Sequence, residues 1–115
     1  MKLMSIALDH GRILRVGQVW QHNTELRAVV IVGLLCHCKG MADAVVVNMN
    51  TGRTYHIDAD TFAVGSKGWS LLHEHVSRPV MFNLFRRASI ASKQQLVQLP
   101  LGKAALDHSF FGARS

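Results

Sequence analysis

The sequence predicts a mainly β protein, a small barrel or roll of five to six short antiparallel strands with a C-terminal α-helix. Three observations carry that prediction. Residues 27–36, RAVVIVGLLC, form a β-branched run that is apolar on both faces. Shorter runs on either side of it are separated by Gly, Asn, Asp and Ser turn residues. After Ser77 the apolar spacing lengthens from two residues to three and four, the period of a helix. With 115 residues, 49% of them apolar and 17% charged, the chain suits one folded domain. Residues 1–76 are read as the barrel and residues 77–115 as a basic helix and tail packed on it.

Residues 13–22, ILRVGQVWQH, open the sheet. Leu14, Val16, Gln18 and Trp20 point one way, and Ile13, Arg15, Gly17 and Val19 the other. Gly17 inside this run marks a bulge or a close backbone approach. His22, Asn23 and Thr24 turn the chain into the central strand. There Val30, Val32, Leu34 and Cys36 share one face, and Val29, Ile31, Gly33 and Leu35 the other. A strand with no polar face needs cover on both sides.

Residues 42–49 and 53–57 flank the turn Asn50-Thr51-Gly52 and read as a β-hairpin. A turn at Asp58-Ala59-Asp60 leads to a short strand over residues 61–64, and WSLLH at 69–73 supplies the last strand. Ser77 then caps a helix whose first turn tolerates Pro79. Met81, Leu84, Phe85, Ala88, Ser92, Leu96 and Leu99 fall on one helix face, and Pro100 and Gly102 stop it. A further helical turn is placed at residues 103–108, with Phe110 and Phe111 as an apolar anchor. The helix is expected to cover one face of the central strand. Otherwise its apolar stripe is offered to a partner or, in a homodimer, to a second subunit.

Charge supplies the main functional lead. Residues 1–76 hold seven Lys/Arg against six acids, a balance of +1, whereas residues 77–115 hold six against Asp107 alone, a balance of +5. Such asymmetry points to an anionic partner, DNA or RNA first. The candidate nucleic-acid-binding residues are Arg78, Arg86, Arg87, Lys93 and Lys103. A planar, permanently charged guanidinium suits phosphate oxygens. The commoner meaning of charges on a helix is a solvated face; the lopsided surplus is what favours a ligand here.

Other chemistries find little support. Cys36-His37-Cys38 and His73-Glu74-His75 offer ligand types, but a one-residue gap strains chelation of a single ion, so no metal site is assigned. His56, Asp58, Asp60 and His73 are candidate acids and bases near strand ends, without a nucleophile elbow or a carboxylate pair, so no catalytic residue is assigned. No cofactor motif is present. The apolar stretch at residues 3–8 is short for a signal peptide, and the central run is far below the ~20 residues that span a bilayer. Two cysteines form no disulfide framework, and the expectation is a soluble cytoplasmic protein without membrane contact.

The opening Val16-Gly17-Gln18-Val19-Trp20 and the closing Trp69 give residues 12–73 a pattern that resembles SH3-like small barrels. Gly17, Val19, Trp20, Arg27 and the valine-rich run from Val29 to Val32 are similar to the outline of PemK/MazF-type toxins, although Ala28 stands where that family has proline. That resemblance implies an endoribonuclease in which Arg27 stabilises phosphate charge and Thr54 positions it. A second resemblance, to KOW-type and small phage or prophage barrels, implies binding of nucleic acid or of a host protein. The sequence reading is a non-enzymatic binding module that contacts nucleic acid through its basic helix. An adaptor or inhibitor of a host protein, from a phage or mobile element, and a toxin-like ribonuclease are the alternatives.

Overall fold

The computed structural model describes residues 2–8, 11–36, 41–63 and 68–87. Strands β1 (Lys2–Leu3), β2 (Ser5–Ala7), β3 (Ile13–Arg15), β4 (Val19–His22), β5 (Ala28–Cys36), β6 (Ala42–Asn48), β7 (Thr54–Asp58) and β8 (Trp69–His73) precede helix α1 (Arg78–Arg87). All pairings are antiparallel. The main sheet has the order β7-β6-β5-β4-β8, with β1 also on β5, and β2 and β3 form a second sheet of two strands. Among the described residues these sheets do not close into a barrel; of the expected small barrel or roll, the structure shows a mainly β chain of two antiparallel sheets.

β5 is central because both of its edges are used. One edge pairs with β6 along almost its whole length. The other edge is shared between β4, at Ala28–Val30, and β1, at Leu34–Leu35. In the gap between them, the Ile31 carbonyl accepts from the Gly17 N–H at 2.7 Å, and the Ile31 N–H donates to the Gln18 carbonyl at 2.9 Å. The turn at Gly17 thus satisfies backbone groups that no strand reaches. It also splits the single strand expected over residues 13–22 into β3 and β4. Gly17 has φ +99°, a value that side chains with a Cβ disfavour.

The register sorts the sheet into two faces. Val19, Val30, Val45 and Val47 lie on one. Trp20, Val29, Ile31, Val46, Asn48 and Tyr55 lie on the other. Phe62 plugs the second face, 5.2 Å from the ring centres of both Trp20 and Trp69. It arrives on a 3-10 turn, Ala59–Phe62, where a short strand at 61–64 was expected. The reason is local: the Asp58 carboxylate accepts from the Asp60 N–H at 3.0 Å, capping a tight turn that carries Phe62 into the core. Residues 64–67 lie outside the described residues.

The first face is covered by the segment that follows β8. Val76, Met81 and Leu84 are buried in the core cluster, and Val76 and Val80 share the wall of a hollow with Val19 and Met49. As the sequence predicts, Ser77 begins α1: its carbonyl accepts from the Met81 N–H at 3.0 Å and its hydroxyl from the Val80 N–H at 3.4 Å. The described helix ends at Arg87. The expected continuation through Leu99, the further turn at 103–108 and the Phe110-Phe111 anchor lie outside the described residues. Strands β1 and β2 have no counterpart among the sequence-based expectations. Among the described residues no helix is long and apolar enough to cross a membrane.

Candidate functional site

Two surfaces carry positive charge, one on each side of the main sheet. The first is α1. Burial of Met81 and Leu84 fixes which edge of the helix faces the protein, and Arg86, Asn83 and Phe82 remain exposed. Arg86 borders a hollow of about 490 Å³ with Met49, Val80, Asn83 and Leu84. Arg78 and Arg87 are the first and last residues of the helix, about 14 Å apart along its axis at 1.5 Å per residue. Lys93 and Lys103 lie outside the described residues. Of the five candidates, three therefore share one helix.

That surface is not uniformly polar. Val80 and Phe82 are 37% and 38% exposed, so α1 presents apolar area beside Arg86.

The second surface is a hollow of about 390 Å³ lined by Arg27, Asn48, Thr51, Arg53 and Tyr55. The register places Asn48 and Tyr55 on the aromatic face, away from the side covered by α1. The Arg27 guanidinium stacks 5.1 Å from the centre of the Trp69 ring, and one terminal nitrogen lies 3.2 Å from Glu25 Oε2. Thr54, paired with Val47, alternates to the other face, so the wall beside Arg27 carries Tyr55 in its place. The toxin resemblance singles out Arg27, but the sequence pattern missed the rest of this hollow. The signal was present in the hairpin, since closing Asn50-Thr51-Gly52 brings Arg53 beside Asn48: the Asn48 N–H donates to the Arg53 carbonyl at 2.8 Å.

Other charges are committed to structure. Arg12 lies 5.1 Å from the centre of the Trp20 ring and donates to the Phe62 carbonyl at 2.9 Å, so its positive charge braces the aromatic plug. Arg15 lies 3.7 Å from Glu74. The candidate acids and bases are dispersed. His56 on β7 lies 3.6 Å from Asp43, whereas His73 ends β8 at the opposite edge of the sheet. Asp58 is the cap of the 3-10 turn. Among the described residues no three His, Cys, Asp or Glu side chains gather as metal ligands, and His37 and Cys38 lie outside those residues.

The fold and these surfaces define a small mainly β protein with open antiparallel sheets and a short helix on one face. Compared with protein-family models, curated proteins and solved structures, the chain matches none.

Proposed function

We propose that this chain is a non-enzymatic binding module that contacts nucleic acid through the basic segment beginning at α1. The single observation that carries the reading is the exposure of Arg86 on a helix anchored at its other edge by Met81 and Leu84. A helix already anchored on the sheet presents the Arg86 guanidinium with no separate folding step on binding, and the segment from residue 77 onward holds six of the thirteen Lys/Arg with one acid. Arg78, Arg86, Arg87, Lys93 and Lys103 are the phosphate contacts in this reading. The sheets are read as an opened form of the SH3-like small barrel, a reading supported by Trp20 and Trp69 on the paired strands β4 and β8. Function does not follow from that likeness.

A second reading has its own observation. Val80 and Phe82, exposed on α1, would suit a host-protein partner of an adaptor or inhibitor. A pull-down from a cell lysate, with and without nuclease, separates the two. Recovered DNA or RNA that vanishes with nuclease supports nucleic-acid binding. A stoichiometric protein retained after nuclease overturns it in favour of the second reading.

A further inference from the structure

We propose that the hollow between Arg27, Arg53 and Tyr55 is an oxyanion site that takes a phosphate group. It is separate from the basic helix, because the register sets Asn48 and Tyr55 on the face opposite the one covered by α1.

The wall is rich in donors. Arg27 is held in place by Trp69 on one side and Glu25 on the other, so its fork loses little further freedom on meeting a ligand. Its Nε and the Tyr55 hydroxyl are buried and have no hydrogen-bond partner among the described residues. Buried donors left unpaired are costly, and a small side-chain rotation that turns them toward a ligand oxygen in the hollow would relieve that cost. Arg53 is exposed at the rim and brings a second permanent charge. Asn48 Oδ1 already accepts from the N–H groups of Asn50, at 2.8 Å, and Thr51, at 3.1 Å. That turns the carbonyl end of the Asn48 amide toward the hairpin and leaves its NH2 for the hollow. The nearby carboxylate, Glu25, is paired with Arg27 and does not line the hollow.

Two guanidiniums with a phenol and an amide match the oxygens of a phosphate, which accept several charge-assisted bonds at once. The volume, about 390 Å³, is roughly thirteen times the ~30 Å³ share of a water molecule, leaving room for an attached sugar. The phosphate can come from a mononucleotide or from the backbone of a strand.

The test is NMR of the full chain, following the arginine Nε–H signals and the amides of residues 48–55. Inorganic phosphate, adenosine monophosphate and a short single-stranded RNA are each titrated at constant ionic strength. Saturable shifts of Arg27 Nε–H and of those amides are expected with at least one of the three. A lower apparent Kd for the mononucleotide assigns the phosphate to a free ester, and a lower one for the RNA assigns it to a backbone. Arg53→Gln and Tyr55→Phe, checked for an otherwise unchanged amide spectrum, should each weaken binding about tenfold. Shifts no larger than those caused by chloride, or affinity unchanged in both variants, overturn the site. Arg86→Glu separates it from the function proposed above: the phosphate shifts survive that substitution, and their loss would overturn an independent site.

Discussion

Replacing Gln18 by methionine should cost this fold about 1–5 kcal/mol, because one buried amide makes four hydrogen bonds that tie together β3, β4 and the residue after β8. Gln18 is fully buried. Its Oε1 accepts from the Trp20 indole N–H at 3.0 Å and from the Arg15 N–H at 2.9 Å. Its Nε2 donates to the Ile13 carbonyl at 3.1 Å and to Glu74 Oε1 at 2.8 Å. Methionine keeps the length of the side chain and removes all four bonds. Trp20 has no access to water, so its orphaned indole N–H alone costs about 1–3 kcal/mol. The Arg15 and Ile13 backbone groups are partly exposed and recover water bonds, leaving a net loss of about 0.5–1.5 kcal/mol each. Glu74 is half exposed and its share is discounted further. The added apolar burial of methionine returns roughly 1 kcal/mol. Equilibrium denaturation in urea checks the sum, with the slope m unchanged and the midpoint lowered. A loss below about 0.5 kcal/mol would refute the reasoning, since it would mean that the indole N–H finds another partner at no cost.

Two further outcomes follow from the core. Phe62→Ala empties the space between Trp20 and Trp69 and should lose about 3–5 kcal/mol, with a change in native tryptophan fluorescence; an unchanged emission spectrum would contradict the packing. Gly17→Ala places a Cβ at φ +99° beside the Ile31 contacts and should lose at least about 1–2 kcal/mol in thermal or urea unfolding, whereas an unaltered midpoint would show that the turn relaxes freely.

Much of the main sheet is legible in the pattern of residues. β5 shows itself by length and β-branching, the β6–β7 hairpin by Asn50-Thr51-Gly52, and β8 by the WSLLH run between a glycine-containing sequence and a helix cap. Ser77 and Pro79 mark the start of α1 for reasons of capping alone. Three features required knowledge of the assembled chain. β1 and β2 are two and three residues long, too short for alternation to register. Residues 61–64 have strand composition, but the Asp58 cap and the space between two indoles draw Phe62 into a 3-10 turn. Closure of the expected barrel depends on how the edges β7 and β8 meet, and strand spacing carries no information about that.

The sites divide in the same way. Arg86 was found from charge and helical period, both local properties. The hollow at Arg27 was not, because Arg27, Asn48 and Tyr55 meet only through the registers β5–β6 and β6–β7. Arg27 and Thr54, paired by the toxin resemblance, fall on different faces because a one-residue step along β7 reverses the side chain.

The most direct test of nucleic-acid binding is the salt dependence of affinity for labelled duplex DNA and single-stranded RNA, read by fluorescence anisotropy. Each neutralised phosphate releases counterions, so log K falls against log salt with a slope of about −0.9 per contact on duplex and about −0.7 on a single strand. The wild-type chain should bind one or both in the micromolar range at low salt, with a steep slope. The combined variant Arg86→Gln, Arg87→Gln and Lys93→Gln should flatten that slope by about two to three on duplex DNA while leaving the unfolding midpoint unchanged. No detectable binding at low salt, or a slope that the triple variant leaves intact, would contradict the account.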